Sequence, residues 1–324
     1  MTSLDFRLNV LQLQFALKAE TMVHLGAQAG AQIRGALWSA LRTFACTDPY
    51  ADPAQQAEHS QHCPMCRLVA LETANDARGT NPARPFAVRP PLSVHPEQDR
   101  LYDRGELFTV GISLFGDARD LAGYVCQAMY RAGEIGIGYG RGRFSLHQIR
   151  AVNEVTGEQQ DLLRGPAVLV KPETLLSEAD VRTKTTSLAP DRVRLRFLTP
   201  MMLKQGGAFC GEPEFLPLIA RLIERCQSLD TYYGGLPASQ EHWRETYLEL
   251  SAKADGIKST PNTRWVRLES GSRRTGERNS MGGFVGEASF SGHLEPFLEW
   301  LVWGETLHVG KNVVKGNGWY QIIS

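Results

Sequence analysis

Leu4, Phe6, Leu8 and Val10 alternate with polar residues, and after a change of phase Leu11, Leu13, Phe15 and Leu17 do the same. Side chains of a strand alternate faces, so this predicts one long strand over residues 4–18 with a bulge near Val10 and Leu11. From Gln28 to Ala45 the spacing becomes helical, with Ile33, Leu37, Leu41 and Phe44 on one stripe and Arg34 and Arg42 off it. Between Cys46 and Arg84 the apolar pattern fades into Pro, Asp, Asn, Gln and Ala, which marks an insertion. Phe86–Val88 and Leu107–Phe115 read as paired strands. Asp117 suits the N-cap of a helix that turns Leu121, Val125, Ala128 and Met129 inward, and a strand from Arg143 to Ile149 follows.

Residues 151–190 are weakly patterned, and a domain junction belongs there. Arg192-Val193-Arg194-Leu195-Arg196-Phe197 then alternates strictly, with three guanidinium groups on one face. A helix from Glu214 to Leu229, an extra helix from His242 to Ala254, strands at Trp265–Leu268 and Gly283–Phe290, and a helix from Leu294 to Trp303 precede a terminal strand. Each half therefore runs strand, helix, strand, strand, helix, strand, the ferredoxin-like order.

The two halves also share motifs. Gly140-Arg141-Gly142-Arg143-Phe144-Ser145-Leu146 matches Gly316-Asn317-Gly318-Trp319-Tyr320-Gln321-Ile322 in residue class, and Val110-Gly111 with Phe115 matches Val285-Gly286 with Phe290. The period is far above the roughly 20–50 residues of solenoid arrays, so this is a duplicated domain. The expected fold is α+β, two tandem ferredoxin-like (RRM-like) domains with glycine-rich loops. The first spans 1–185 with a cysteine-containing insertion at 46–84, and the second spans 186–324.

The 324 residues suffice for two cores, and the 35 basic and 35 acidic side chains balance. Any nucleic-acid binding must therefore come from local clusters. No apolar run reaches the roughly 18 residues of a membrane span, and the first residues lack a signal-peptide pattern, so a soluble cytoplasmic protein without membrane contact is expected.

Candidate chemistry concentrates in the glycine loops. Gly310, Gly316 and Gly318, with Lys311 and Lys315, could bring N–H groups and ammonium charges to a phosphate chain, since glycine has no Cβ to hold a ligand away. Gly310-Lys311 is not a phosphate-binding loop of the GKS/GKT type, because Asn312 follows. Gly136–Gly140 follows a helix rather than opening one, against a dinucleotide fold. Arg141, Arg143, Arg192, Arg194, Arg196 and the stretch Arg264, Arg267, Arg273, Arg274, Arg278 are candidates for phosphate contact. Six cysteines are too few and scattered for a disulfide framework. Cys126 and Cys226 fall at apolar helix positions. Cys63-Pro64-Met65-Cys66, with Cys46 upstream and His62 or His59 nearby, is a candidate Cys₃His structural zinc site.

Phe197-Leu198-Thr199-Pro200-Met201-Met202-Leu203-Lys204, Gly282-Gly283-Phe284-Val285-Gly286-Glu287 and His308-Val309-Gly310-Lys311 with Gly316-Asn317-Gly318 resemble the CRISPR repeat-associated RAMP endoribonucleases that process precursor CRISPR RNA. Arg34-Gly35-Ala36-Leu37 and Gly136–Phe144 are similar to the same family. The resemblance implies cleavage within the repeat without a cofactor, by attack of a ribose 2′-hydroxyl, leaving a 2′,3′-cyclic phosphate and a 5′-hydroxyl. It implies CRISPR repeat RNA as partner, with effector-complex subunits as further candidates. His308 and Lys311 on one loop, or His24 between the first strand and first helix, are the expected catalytic groups, and Tyr50 an auxiliary one. The alternative is a noncatalytic RNA-binding RAMP subunit of a CRISPR effector complex.

Overall fold

The structure is a computed structural model, and it describes residues 6–46, 48, 58–59, 62–69, 82–164, 168–271 and 278–323. In the first half, strands β1 (Val10–Ala19), β2 (Val23–Leu25), β3 (Phe86–Arg89), β4 (Arg100–Tyr102), β5 (Leu107–Phe115), β6 (Phe144–Val152) and β7 (Gln159–Asp161) are joined by helices α1 (Ala29–Phe44), α2 (Pro64–Val69) and α3 (Ala122–Ile135). Five strands form an antiparallel sheet in the order β3-β5-β1-β6-β7, while β2 and β4 pair separately. The second half follows α4 (Glu178–Thr185) with β8 (Arg192–Met201), α5 (Phe215–Tyr233), α6 (Gln240–Ala254), β9 (Lys258–Val266), β10 (Gly283–Ser291), α7 (Leu298–Leu307) and β11 (Tyr320–Ile323). Its sheet runs β9-β10-β8-β11. Leaving out the added strand β7, both sheets have the same order relative to the chain, that of the ferredoxin-like fold.

The phase change at Val10 and Leu11 is a handover between two cores. Leu11, Leu13, Phe15 and Leu17 pack under α1 and α3, whereas Phe6, Leu8 and Val10 belong to the core of the second half. Phe6 is fully buried, edge-on to Trp303 at 5.1 Å and to Trp243 at 6.3 Å. A phenylalanine buried this way is worth roughly 1.5–3 kcal/mol, so the leading segment fastens one half to the other. The bulge lies instead on the β6 side of β1, between Ala16 and Leu17. Leu176 and Val181 also join the second core, with α4 packed on α7.

Two other elements differ from the pattern. Asp117 caps nothing; it lies in a 3₁₀ turn (Gly116–Leu121) and pairs with Arg67 on α2. The second strand of the second half is β9, which begins at Lys258, well before Trp265. It is an edge strand exposed along most of its length, which is where Pro261 is tolerated and where no apolar alternation arises. No described helix is long and apolar enough to cross a membrane.

Candidate active site

His24 lies in β2, and three backbone features fix it. β2 pairs with β4, placing His24 opposite Leu101, and the Tyr139 N–H donates to the His24 carbonyl at 2.8 Å from the other side. Gly138 makes that approach feasible: it has φ +72°, and a Cβ there would stand 2.1 Å from the His24 oxygen. The first glycine loop is thus moulded to the His24 backbone. On the side chain, Nε2 is 2.6 Å from Asp99 Oδ2, and the Tyr139 ring lies edge-on at 4.9 Å. Asp99 Oδ1 accepts the Ala27 N–H at 3.1 Å, so the carboxylate is itself oriented. The pair is open to solvent, with His24 30% and Asp99 45% exposed. An imidazole anchored through Nε2 presents Nδ1 for proton transfer. Arg141 and Arg143, both exposed, ride on the same loop.

The carboxy-terminal loop is built differently from expectation. Gly310, Gly316 and Gly318 have positive φ, and added Cβ atoms would meet Met202 O at 2.5 Å, Pro90 Cδ at 2.9 Å and Val309 O at 1.9 Å. The glycines are spent on close protein packing, part of it against the first half, and form no open cradle. His308 is fully buried at the end of α7, with its ring stacked on Trp319 at 5.8 Å and 3°. Burial foremost, then the charges of Arg89 and Arg225, hold its pKa well below the usual histidine range. A neutral ring enclosed beside two guanidinium groups does not meet a solvent-borne phosphate, so His308 is not placed as the surface-loop reading required. Lys311 remains exposed, above the Phe209 ring at 5.3 Å. Partial burial and neighbouring Lys204 lower its pKa. Lys315 is half-buried, lowered by burial and by Arg34.

Arg192, Arg194 and Arg196 do share the exposed face of β8, opposite buried Val193, Leu195 and Phe197. Arg196 is engaged by Glu287 at 2.8 and 2.9 Å. Arg264 on β9 pairs with Glu97 at 2.8 Å, two residues before Asp99, so the segment that orients His24 is also held by the second half. Tyr50, Arg273 and Arg274 lie outside the described residues, as does the side chain of Arg278.

Residues 8–175 match a family model described as an N-terminal domain, and residues 195–320 match the model of the CRISPR-associated endoribonuclease Cas6. The second half of the chain thus resembles the CRISPR-associated endoribonucleases of the RAMP type. No curated protein matches it. Among solved structures, a Cas6 product complex is similar over 97% of this chain and 99% of its own, at 15% identity and TM-score 0.58. Thermus thermophilus Cas6 is similar over 98% and 99%, at 12% identity and TM-score 0.54. A partial Cas6-RT-Cas1–Cas2 complex chain is similar over all of this chain and 47% of its own, at 13% identity and TM-score 0.57. At these identities the likeness concerns the fold.

Sequence reasoning missed Asp99, which lies 75 residues from His24 in a stretch without apolar pattern. It also missed buried Arg89 and half-buried Arg225, the cations around His308. Arg89 stands over the Trp319 ring at 5.3 Å and pairs with Glu154 beside a cavity of about 300 Å³ on the outer face of the first sheet. In the insertion, Cys46, Cys63 and Cys66 come together as expected, but the histidine among them is His59. His62 points away, its Nδ1 on the Glu58 carbonyl at 3.1 Å. Burial and the neighbouring thiols push Cys66 up to about 12. Cys126, pushed up to about 12 by burial, and Cys226 are core residues.

Proposed function

We propose that the chain cleaves precursor CRISPR RNA within its repeat, with no catalytic metal, leaving a 2′,3′-cyclic phosphate and a 5′-hydroxyl. The observation that carries this reading is the solvent-accessible His24–Asp99 pair held against the first glycine loop. His24 Nδ1 takes the proton of the 2′-hydroxyl as its oxygen attacks the adjacent phosphorus. The bond from phosphorus to the 5′-oxygen breaks, and that oxygen takes a proton from solvent water as it leaves. Asp99 holds the ring in orientation and stabilises the imidazolium, as a carboxylate behind a histidine does. Arg141 and Arg143 offer charge to the phosphate oxygens. Lys311 and the arginines of β8 are proposed as contacts to RNA further along the chain.

The test is cleavage of labelled repeat RNA by purified protein in EDTA, with folding followed in parallel by circular dichroism. Cutting at one position, with an upstream product whose 3′ end resists ligation until its cyclic phosphate is opened and removed, supports the reading. Tight binding by folded protein without product supports the noncatalytic effector subunit instead.

A further inference from the structure

We propose that the insertion of the first half is built around a structural zinc ion held by Cys46, His59, Cys63 and Cys66. The geometry does not depend on how the RNA is cut. The four potential ligand atoms all lie within 4.8 Å of one another, and the arrangement already approaches a metal shell. Bond lengths of about 2.3 Å to sulfur and 2.0–2.1 Å to nitrogen put neighbouring ligands of a tetrahedral zinc about 3.8 Å apart for two sulfurs and about 3.6 Å for sulfur and nitrogen. Cys46 Sγ is 4.0 Å from Cys66 Sγ and 3.5 Å from His59 Nε2. Among the described residues no disulfide joins any of the cysteines. Three sulfurs and one imidazole in a closed tetrahedron are the donor set of structural zinc, with no position left open for substrate.

The ligands come from three short pieces whose backbone is already set. Cys46 follows directly on α1, whose C-terminal turn closes with the Ala45 N–H on Leu41 O. His59 and Cys63 are one helical turn apart, with the Cys63 N–H donating to His59 O at 2.9 Å. Cys66 lies in the first turn of α2, and Arg67 N–H donates back to Cys63 O at 2.9 Å. Cys63 and Cys66 are buried, while Cys46 and His59 are half-buried, so the site sits at the edge of the first core.

Its position gives the ion a task. α2 buries Met65, Leu68 and Val69 in the first core, and its Arg67 pairs with Asp117 ahead of α3. Arg34, on α1, reaches the Val69 carbonyl at 3.5 Å. A zinc ion at the end of α1 therefore ties the insertion and its α2 to α1, with Arg67 extending the contact to the turn ahead of α3. Binding displaces the thiol protons to solvent and leaves three thiolates and a neutral imidazole on the metal.

Elemental analysis of the full chain, purified without chelators, tests this directly. About one zinc per chain is expected, absent from Cys66→Ser and from His59→Ala and retained in His62→Ala. Because a ligand variant can fail to fold, wild-type protein is also stripped at low pH, refolded and titrated with cobalt(II). Tetrahedral d–d bands with thiolate charge transfer are expected, saturating at about one equivalent. Wild-type protein that carries no zinc and gives no tetrahedral cobalt spectrum overturns the proposal. So does zinc that stays bound in Cys66→Ser, or iron found in its place.

Discussion

Gly30 of α1 faces the backbone of Lys315 so closely that a Cβ on Gly30 would lie 2.1 Å from the Lys315 carbonyl oxygen. The carboxy-terminal glycine loop is thus a joint between the two halves, wedged between α1 and β3, with Gly316 against Pro90.

The joint predicts opposite signs for one substitution made at two sites of the same helix. Alanine normally stabilises a helix interior by up to about 1 kcal/mol over glycine. Gly35→Ala, with nothing within 4 Å of the new Cβ, should show that gain in urea unfolding. Gly30→Ala must displace backbone, and should destabilise by about 1–3 kcal/mol net. Equal gains at both sites would mean that the halves do not meet there.

Buried His308 predicts acid sensitivity. Its folded pKa lies well below 6.5, so above pH 6.5 the ring is neutral in both states and contributes no pH dependence. As pH falls below about 6.5 the unfolded chain takes up the proton first, and stability drops by up to ~1.4 kcal/mol per pH unit until the folded pKa is reached. His308→Phe keeps an aromatic ring against Trp319 and removes the titration. Urea midpoints measured from pH 7 to pH 5 should fall less steeply in this variant than in wild type; parallel slopes would show that His308 is not the group responsible.

Strand alternation announced β8 and its arginine row, because the sheet leaves one face in solvent. The same rule was silent on β9, whose edge position exposes both faces and removes the alternation. The shift of phase at Val10 was visible in the sequence, but two cores sharing one strand produce the same pattern as a bulge. At the candidate site, His24 was legible from its place between the first strand and first helix. Asp99 was not, since a pairing across 75 residues leaves no local spacing. His308 on the second glycine loop read as surface chemistry, as exposed Lys311 is, because composition does not say which way a loop packs. Likewise only the turn between His59 and Cys63 decides that His59, not His62, faces the thiols.

Arginines on the two halves should separate by salt dependence. Arg141→Ala with Arg143→Ala should reduce the slope of log affinity against log salt by ~0.7 for each single-strand phosphate no longer neutralised, and slow cleavage as well. Replacing Arg192, Arg194 and Arg196 together should flatten the slope with a smaller effect on the cleavage step of bound RNA. An unchanged slope in either set returns those residues to ordinary surface charge.

The most direct measurement is single-turnover cleavage of the protein's own repeat RNA by His24→Ala, with enzyme in excess and affinity determined separately. Loss of a general base that acts only in the transition state should slow cleavage by roughly 10²-fold or more while affinity stays within about twofold. Asp99→Asn should fall between wild type and His24→Ala, since it weakens the orientation of the ring without removing it. Cleavage by His24→Ala at the wild-type rate would contradict a catalytic role for this histidine.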